Sequence, residues 1–151
     1  MRCKTEPMFS KACGYAIRAS IFIARQSSSN GKAGLKEIAK AIDTPAAFTA
    51  KILQKLTRNN ILSSDKGPGG GFYFNAEQLE KGYLAHIVEA IDGDDIYKGC
   101  ALGLRSCNDS KPCPLHFQFK TVREKLKQTL ETTTIGDLVA GIEVGDTYLK
   151  R

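Results

Sequence analysis

Long apolar runs are missing from this 151-residue chain; the longest, around Ile21–Ala24, is only a few residues. A membrane-spanning helix needs about 20, so no membrane partner is expected. The opening MRCKTEPMFSK has neither the apolar stretch nor the small-residue cleavage site of a secretory signal. A cytoplasmic address is therefore expected, where thiols stay reduced and available to metals. The five cysteines are an odd number, which does not suit a disulfide framework. No paired general acid and base and no cofactor-pocket signature stands out, which counts against a small redox or metal-transfer enzyme. The glycine run ending at Gly71 is followed by Phe72-Tyr73, not by the Lys-Ser/Thr that a nucleotide-binding P-loop requires.

The content that is present is that of an ordinary globular chain, 42% hydrophobic and 25% charged, long enough to bury a real core. Its net charge of +6 is unevenly spread. Residues 1–75 carry 12 Lys/Arg against 4 Asp/Glu, whereas residues 76–151 carry 10 against 12. A basic first half of this kind fits a polyanionic partner.

Apolar residues at 12, 15, 16, 19, 22 and 23 mark one face of a helix over Ala12–Arg25. A shorter helix is expected over Leu35–Ile42. After the turn Asp43-Thr44-Pro45, a third is expected to Asn59, with Thr44 as N-cap and Pro45 at the first helical position. Phe48, Ile52, Leu53 and Leu56 would be buried. Ile61–Ser63 and Phe72–Phe74 read as strands joined by the Gly-rich segment 64–71. One further helix is expected over Ala76–Asp92, stopping at Gly93. Residues 94–114 form a loop, and the narrow stripe 115, 119, 122, 126, 130 points to a pairing helix over 115–131. Thr134 and Asp137 can cap a last short helix. His86 is expected to be a satisfied structural histidine, and Cys13 to pack within the first helix.

Two short helices across a tight turn, then a Gly-rich hairpin, outline a winged helix-turn-helix. The expected architecture is mainly α. A winged DNA-binding domain spans 8–93, a loop 94–114, and a long dimerisation helix with the C-terminal segment 115–140. The third helix would enter the major groove, presenting Ala47, Thr49 and Lys51 to base edges, with Lys55 and Arg58 nearer the backbone and Thr44 at its start. In the wing, Gly67, Gly69 and Gly70 let the backbone approach phosphates, and Lys66 at the tip can enter the minor groove.

The chemistry-bearing constellation is CALGLRSCNDSKPCPLH, with Cys100, Cys107, Cys113 and His116 in 17 residues. Six residues separate the first two cysteines and five the next two, wider than the close pairs of most structural zinc sites. Three occupants stay open on spacing: an iron–sulfur cluster, zinc, or a metal-free thiol switch.

Together these segments resemble the bacterial Rrf-type winged-helix regulators, the IscR- and NsrR-like iron–sulfur sensors. The resemblance covers nearly the whole chain, and its most specific piece is GPGGGF at 67–72. YAIRA at 15–19, LKEIAKA at 35–41, ILQKLTRNNIL at 52–62, TIGDLV at 134–139 and the three cysteines extend it. It implies a homodimeric regulator, most often a repressor, that binds double-stranded DNA at a palindromic operator under control of a two-iron, two-sulfur cluster. It also implies His116 as fourth ligand beside Cys100, Cys107 and Cys113. In NsrR-like members an acidic residue of the first helix serves instead; that position falls near Gly14, which cannot ligate.

Overall fold

Helix α1 (Lys11–Ser28) is the spine of the molecule, and the Ser10 hydroxyl caps it by accepting from Cys13 N–H at 3.0 Å. The computed structural model describes residues 8–106 and 108–149. The inner face of α1 is lined by small residues, Ala16, Ala19, Ser20 and Ala24, interleaved with Ile21 and Ile23. Small side chains let other helices approach closely, and α5 (Leu84–Asp92) and α8 (Ile135–Glu143) pack there. Asp92 at the end of α5 accepts from the Ser10 N–H at 3.1 Å, which ties the two helix ends together.

Helix α2 (Leu35–Ala41) leads into a tight turn in which Asp43 takes a positive φ of 53°. Thr44 N–H closes the turn on Ala39 O at 3.0 Å. Helix α3 spans Ala46–Arg58, with Pro45 in the N-cap position, one residue later than expected. Thr44 does not cap it: the Thr44 hydroxyl lies 2.7 Å from that of Thr49. The buried face of α3 is Thr49, Ile52, Leu53 and Leu56. Two expectations are thereby corrected: Thr49 is wholly buried, and Phe48 is exposed at 38%. A threonine in the i, i+3, i+4, i+7 stripe hides its core phase, while Phe48 falls one residue outside it.

Ile61 and Leu62 belong to the core, so β1 (Ser63–Asp65) starts two residues later than expected, whereas β2 (Gly71–Tyr73) starts one residue earlier. They pair antiparallel with Ser64 opposite Phe72, and a bridge from Ala33 to Phe72 anchors the hairpin to the segment between α1 and α2. The single helix expected over 76–92 is broken into α4 (Ala76–Lys81) and α5. At Gly82–Tyr83 the chain leaves the helix to pair with the segment before α8. Ile135 N–H donates to Gly82 O at 2.8 Å and Leu84 N–H to Thr133 O at 2.9 Å. The loop 94–114 contains one helical turn, α6 (Asp95–Lys98).

Helix α7 (His116–Thr132) packs on α1 and α5 through its C-terminal half. Leu130 is buried and Leu126 half-buried beside Cys13, Ala85 and Val88. Further up, Phe117, Phe119 and Val122 stand 57%, 39% and 59% exposed. Thr134 and Asp137 form the expected reciprocal cap of α8. Among the described residues no helix is long and apolar enough to cross a membrane.

Candidate functional site

Two separate regions hold the candidate residues. On the first, α3 turns outward Ala46, Ala47, Phe48, Lys51, Lys55 and Arg58, all exposed. Thr49 is withdrawn from that set because its hydroxyl is spent inside, donating to Pro45 O at 3.1 Å and meeting Thr44 at 2.7 Å. Thr44 is half-buried in the same contact.

Beside α3, the wing tip presents Lys66, Gly67 and Gly69 to solvent, with Gly70 half-buried. Its glycines are required by close approach. A Cβ on Gly70 would stand 2.4 Å from Asp65 O, and one on Gly71, where φ is 141°, would stand 2.8 Å from Ala33 O. Lys32 braces the wing base, ion-paired with Asp65 and 5.0 Å over the Tyr73 ring.

Beside α3 on the same side lie Tyr15 and Arg18 of α1, which the sequence pattern does not single out. The Tyr15 ring meets Phe48 edge-on, 5.8 Å between centroids at 83°, and the Arg18 guanidinium lies 4.6 Å from the Tyr15 ring. Helical spacing places Tyr15 on the apolar stripe of α1, so only the fold reveals its contact with Phe48.

The second region lies at the start of α7. Cys100, Cys113 and His116 line one open cleft of about 320 Å³, together with Leu104, Arg105 and Lys111. The backbone N–H of His116 donates to Cys113 O at 3.0 Å, so both residues belong to the turn that begins α7. Cys107 and Cys3 lie outside the described residues. His116 is buried, and its Nε2 donates to Asp109 Oδ1 at 2.7 Å; Lys120 Nζ holds the other oxygen at 2.8 Å. Lys120, and then His116, hold the Asp109 carboxyl below its ordinary range. Arg123 donates to Gly99 O at 3.1 Å and so ties the start of the loop to α7.

Thiolates and an imidazole are ligands that iron–sulfur clusters accept, so the donor chemistry of this cleft fits such a group. Among the described residues, no three His, Cys, Asp or Glu side chains are grouped as ligands of a single metal ion.

The remaining sulfur and imidazole are of another kind. Cys13 is wholly buried, and burial together with Asp92 pushes its thiol up to about 12. That makes it inert, as its helical position implied. His86 is exposed, not lodged among apolar residues; it is nonetheless partnered, its Nδ1 accepting from Tyr83 N–H at 3.4 Å.

A basic helix flanked by a Gly-rich wing, carried with a cysteine-bearing cleft on a separate helix, defines a winged helix-turn-helix transcriptional regulator. The model of the Rrf2 family, described as an iron-dependent transcriptional regulator, matches residues 9–141, and the chain belongs to that family. The IscR regulator of Klebsiella pneumoniae is 26% identical over 132 residues, covering 87% of this chain and 79% of that protein. Among solved structures, T. potens IscR superposes with a TM-score of 0.71 at 16% identity, covering 93% of this chain and 92% of that one. CymR, the global cysteine regulator of B. subtilis, gives 0.69 at 19% identity, with 87% and 95% covered. These relatives are regulators of transcription, not enzymes, and the chain is a DNA-binding regulator of the same mainly α, winged-helix fold.

Proposed function

We propose that the protein is a homodimeric repressor of a palindromic operator whose DNA affinity is set by an iron–sulfur cluster, two-iron and two-sulfur, held by Cys100, Cys107, Cys113 and His116. The observation that carries this reading is the convergence of Cys100, Cys113 and His116 on one cleft at the first turn of α7. Such a cluster, when bound, supplies redox and ligand-exchange chemistry that oxidants, nitric oxide or iron shortage perturb.

The chain supplies the linkage. Cys113 and His116 are joined to α7 by its first turn, and Arg123 fixes the other end of the loop to the same helix. Order in the 99–115 segment therefore bears on how α7 is held. The Phe117, Phe119 and Val122 stripe beside it is the seam for a second copy. Dimer geometry in turn sets the distance between the two α3 helices, and half-site spacing is what a dimeric helix-turn-helix protein reads. On this reading Ala47, Lys51, Lys55 and Arg58 face the groove while Lys66, Gly67, Gly69 and Gly70 follow the backbone beside it, and Thr44 holds the helix start.

The test is anaerobic purification followed by reconstitution with iron and sulfide. A coloured, iron-containing dimer is expected, and Cys107→Ala should lose the colour yet remain a folded dimer. A colourless, iron-free product would refute the cluster. In that case peroxide treatment and mass spectrometry should find a disulfide between two of the loop cysteines, the signature of a metal-free thiol switch.

A further inference from the structure

We infer that Arg18 of α1 is a phosphate contact, held against the edge of the DNA-reading face by Tyr15 and Phe48. The inference rests on α3 being the helix that enters the major groove. Phe48 occupies the flank of α3, exposed where a core position would be covered. Tyr15, half-buried in α1, meets it edge-on, and the Arg18 guanidinium lies over the same Tyr15 ring, 4.6 Å from its centroid. The three side chains thus form a continuous strip from the recognition helix to a cation on its neighbour.

Three features suit that cation to a phosphate. Arg18 is exposed, and no ion pair among the described residues includes it. Stacking on an aromatic ring leaves its N–H fork free in the plane, the geometry that binds phosphate oxygens bidentately. It also fixes the side chain in advance, so less rotamer freedom is lost on binding. The position is appropriate as well: the major groove is about 12 Å wide, so a helix lying in it has phosphates along both flanks. The outward residues in the first two turns of α3 include only one hydrogen-bonding cation, Lys51, beside alanines and Phe48. Backbone contacts must therefore supply much of the affinity, and a contact from α1 adds one on each half-site.

A phosphate contact has a signature that a structural residue lacks. Each one adds about 0.9 to the magnitude of the slope of log K against log salt, and its removal takes that amount away. An operator is first selected from a randomised duplex pool with the intact protein, and binding is then followed by fluorescence anisotropy across a salt series. Arg18→Gln, an exposed change, should cut the slope magnitude by about 2 for a dimer and weaken selected and random duplexes alike. Tyr15→Phe, which keeps the ring, should behave as the parent, whereas Tyr15→Leu should lose part of the affinity. An unchanged slope and affinity in Arg18→Gln, while Lys55→Gln lowers both, would overturn the Arg18 assignment and leave the α3 reading standing. No salt-dependent duplex binding by the parent protein would overturn both.

Discussion

The buried Thr49 offers a direct test of how α3 is turned. Its hydroxyl donates to Pro45 O at 3.1 Å and stands 2.7 Å from the Thr44 hydroxyl, with none of the side chain exposed. Thr49→Val keeps the shape and removes both bonds. Each is worth about 0.5–1.5 kcal/mol net. The added methyl regains roughly 0.8 kcal/mol by burial. Pro45 O retains the Thr49 N–H at 3.0 Å, and the half-buried Thr44 can turn to water, so neither partner is stranded. The net loss should be about 1 kcal/mol, or roughly 2–4 °C in Tm for a chain of this size. Urea or thermal unfolding of the intact protein measures it. Thr44→Val combined with Thr49→Val should recover part of the summed loss, a coupling of about 0.5–1.5 kcal/mol from the shared bond. Duplex affinity per folded molecule should change by less than about threefold, under 0.7 kcal/mol. Unaltered stability with a tenfold or greater loss of duplex binding would mean that Thr49 faces the groove, and the placement of α3 would be wrong.

Gly71→Ala should disrupt the wing, since a Cβ there would meet Ala33 O at 2.8 Å with φ at 141°. Backbone must shift to admit it, so the cost should exceed about 1 kcal/mol, visible as a lowered Tm and loss of the β1–β2 amide protection in hydrogen exchange. Cys13 gives a pH effect. Its thiol ionises near 9.0 when unconstrained and near about 12 in the fold, because burial and Asp92 disfavour the thiolate. The unfolded chain loses that proton first, so stability is intact below pH 9 and declines as pH climbs towards 12. The fall in urea midpoint from pH 8 to pH 10.5 should be smaller in Cys13→Ala, and an identical fall would refute the assignment. Asp109→Ala releases His116 Nε2 and Lys120. Iron uptake on reconstitution should be retained, because Cys100, Cys107, Cys113 and the imidazole all remain; a colourless product would show that the site depends on Asp109, as a ligand or as the group that orients His116.

Much of the architecture was legible because it rests on local rules. Apolar spacing announced α1 and α7, the Thr134–Asp137 pair announced the cap of α8, and GPGGGF announced a wing whose glycines the close approaches at Gly70 and Gly71 require. The break at Gly82 was not legible. The stripe of Leu79, Tyr83, Leu84 and Ile87 runs straight through it, and only pairing with Thr133 and Ile135, some fifty residues on, pulls the chain out of the helix. The Thr49 and Phe48 exchange escaped for a related reason. Hydrophobicity ranks phenylalanine inward and threonine outward, but the neighbouring turn supplies hydroxyl and carbonyl partners that make threonine the better-satisfied core residue.

The sequence by itself determined the kind of protein: a basic winged helix joined to a cysteine-bearing loop and a long helix with a narrow apolar stripe, because periodicity, turn residues and cysteine spacing are local properties. Tertiary structure alone decided which side chains act together. It brought Cys100 into one cleft with Cys113 and His116, and it turned His116 onto Asp109. It also set Tyr15, with Arg18 over its ring, edge-on to Phe48, across more than thirty residues of chain from Tyr15. Such contacts depend on how helices cross, and no pattern within a single helix encodes the crossing.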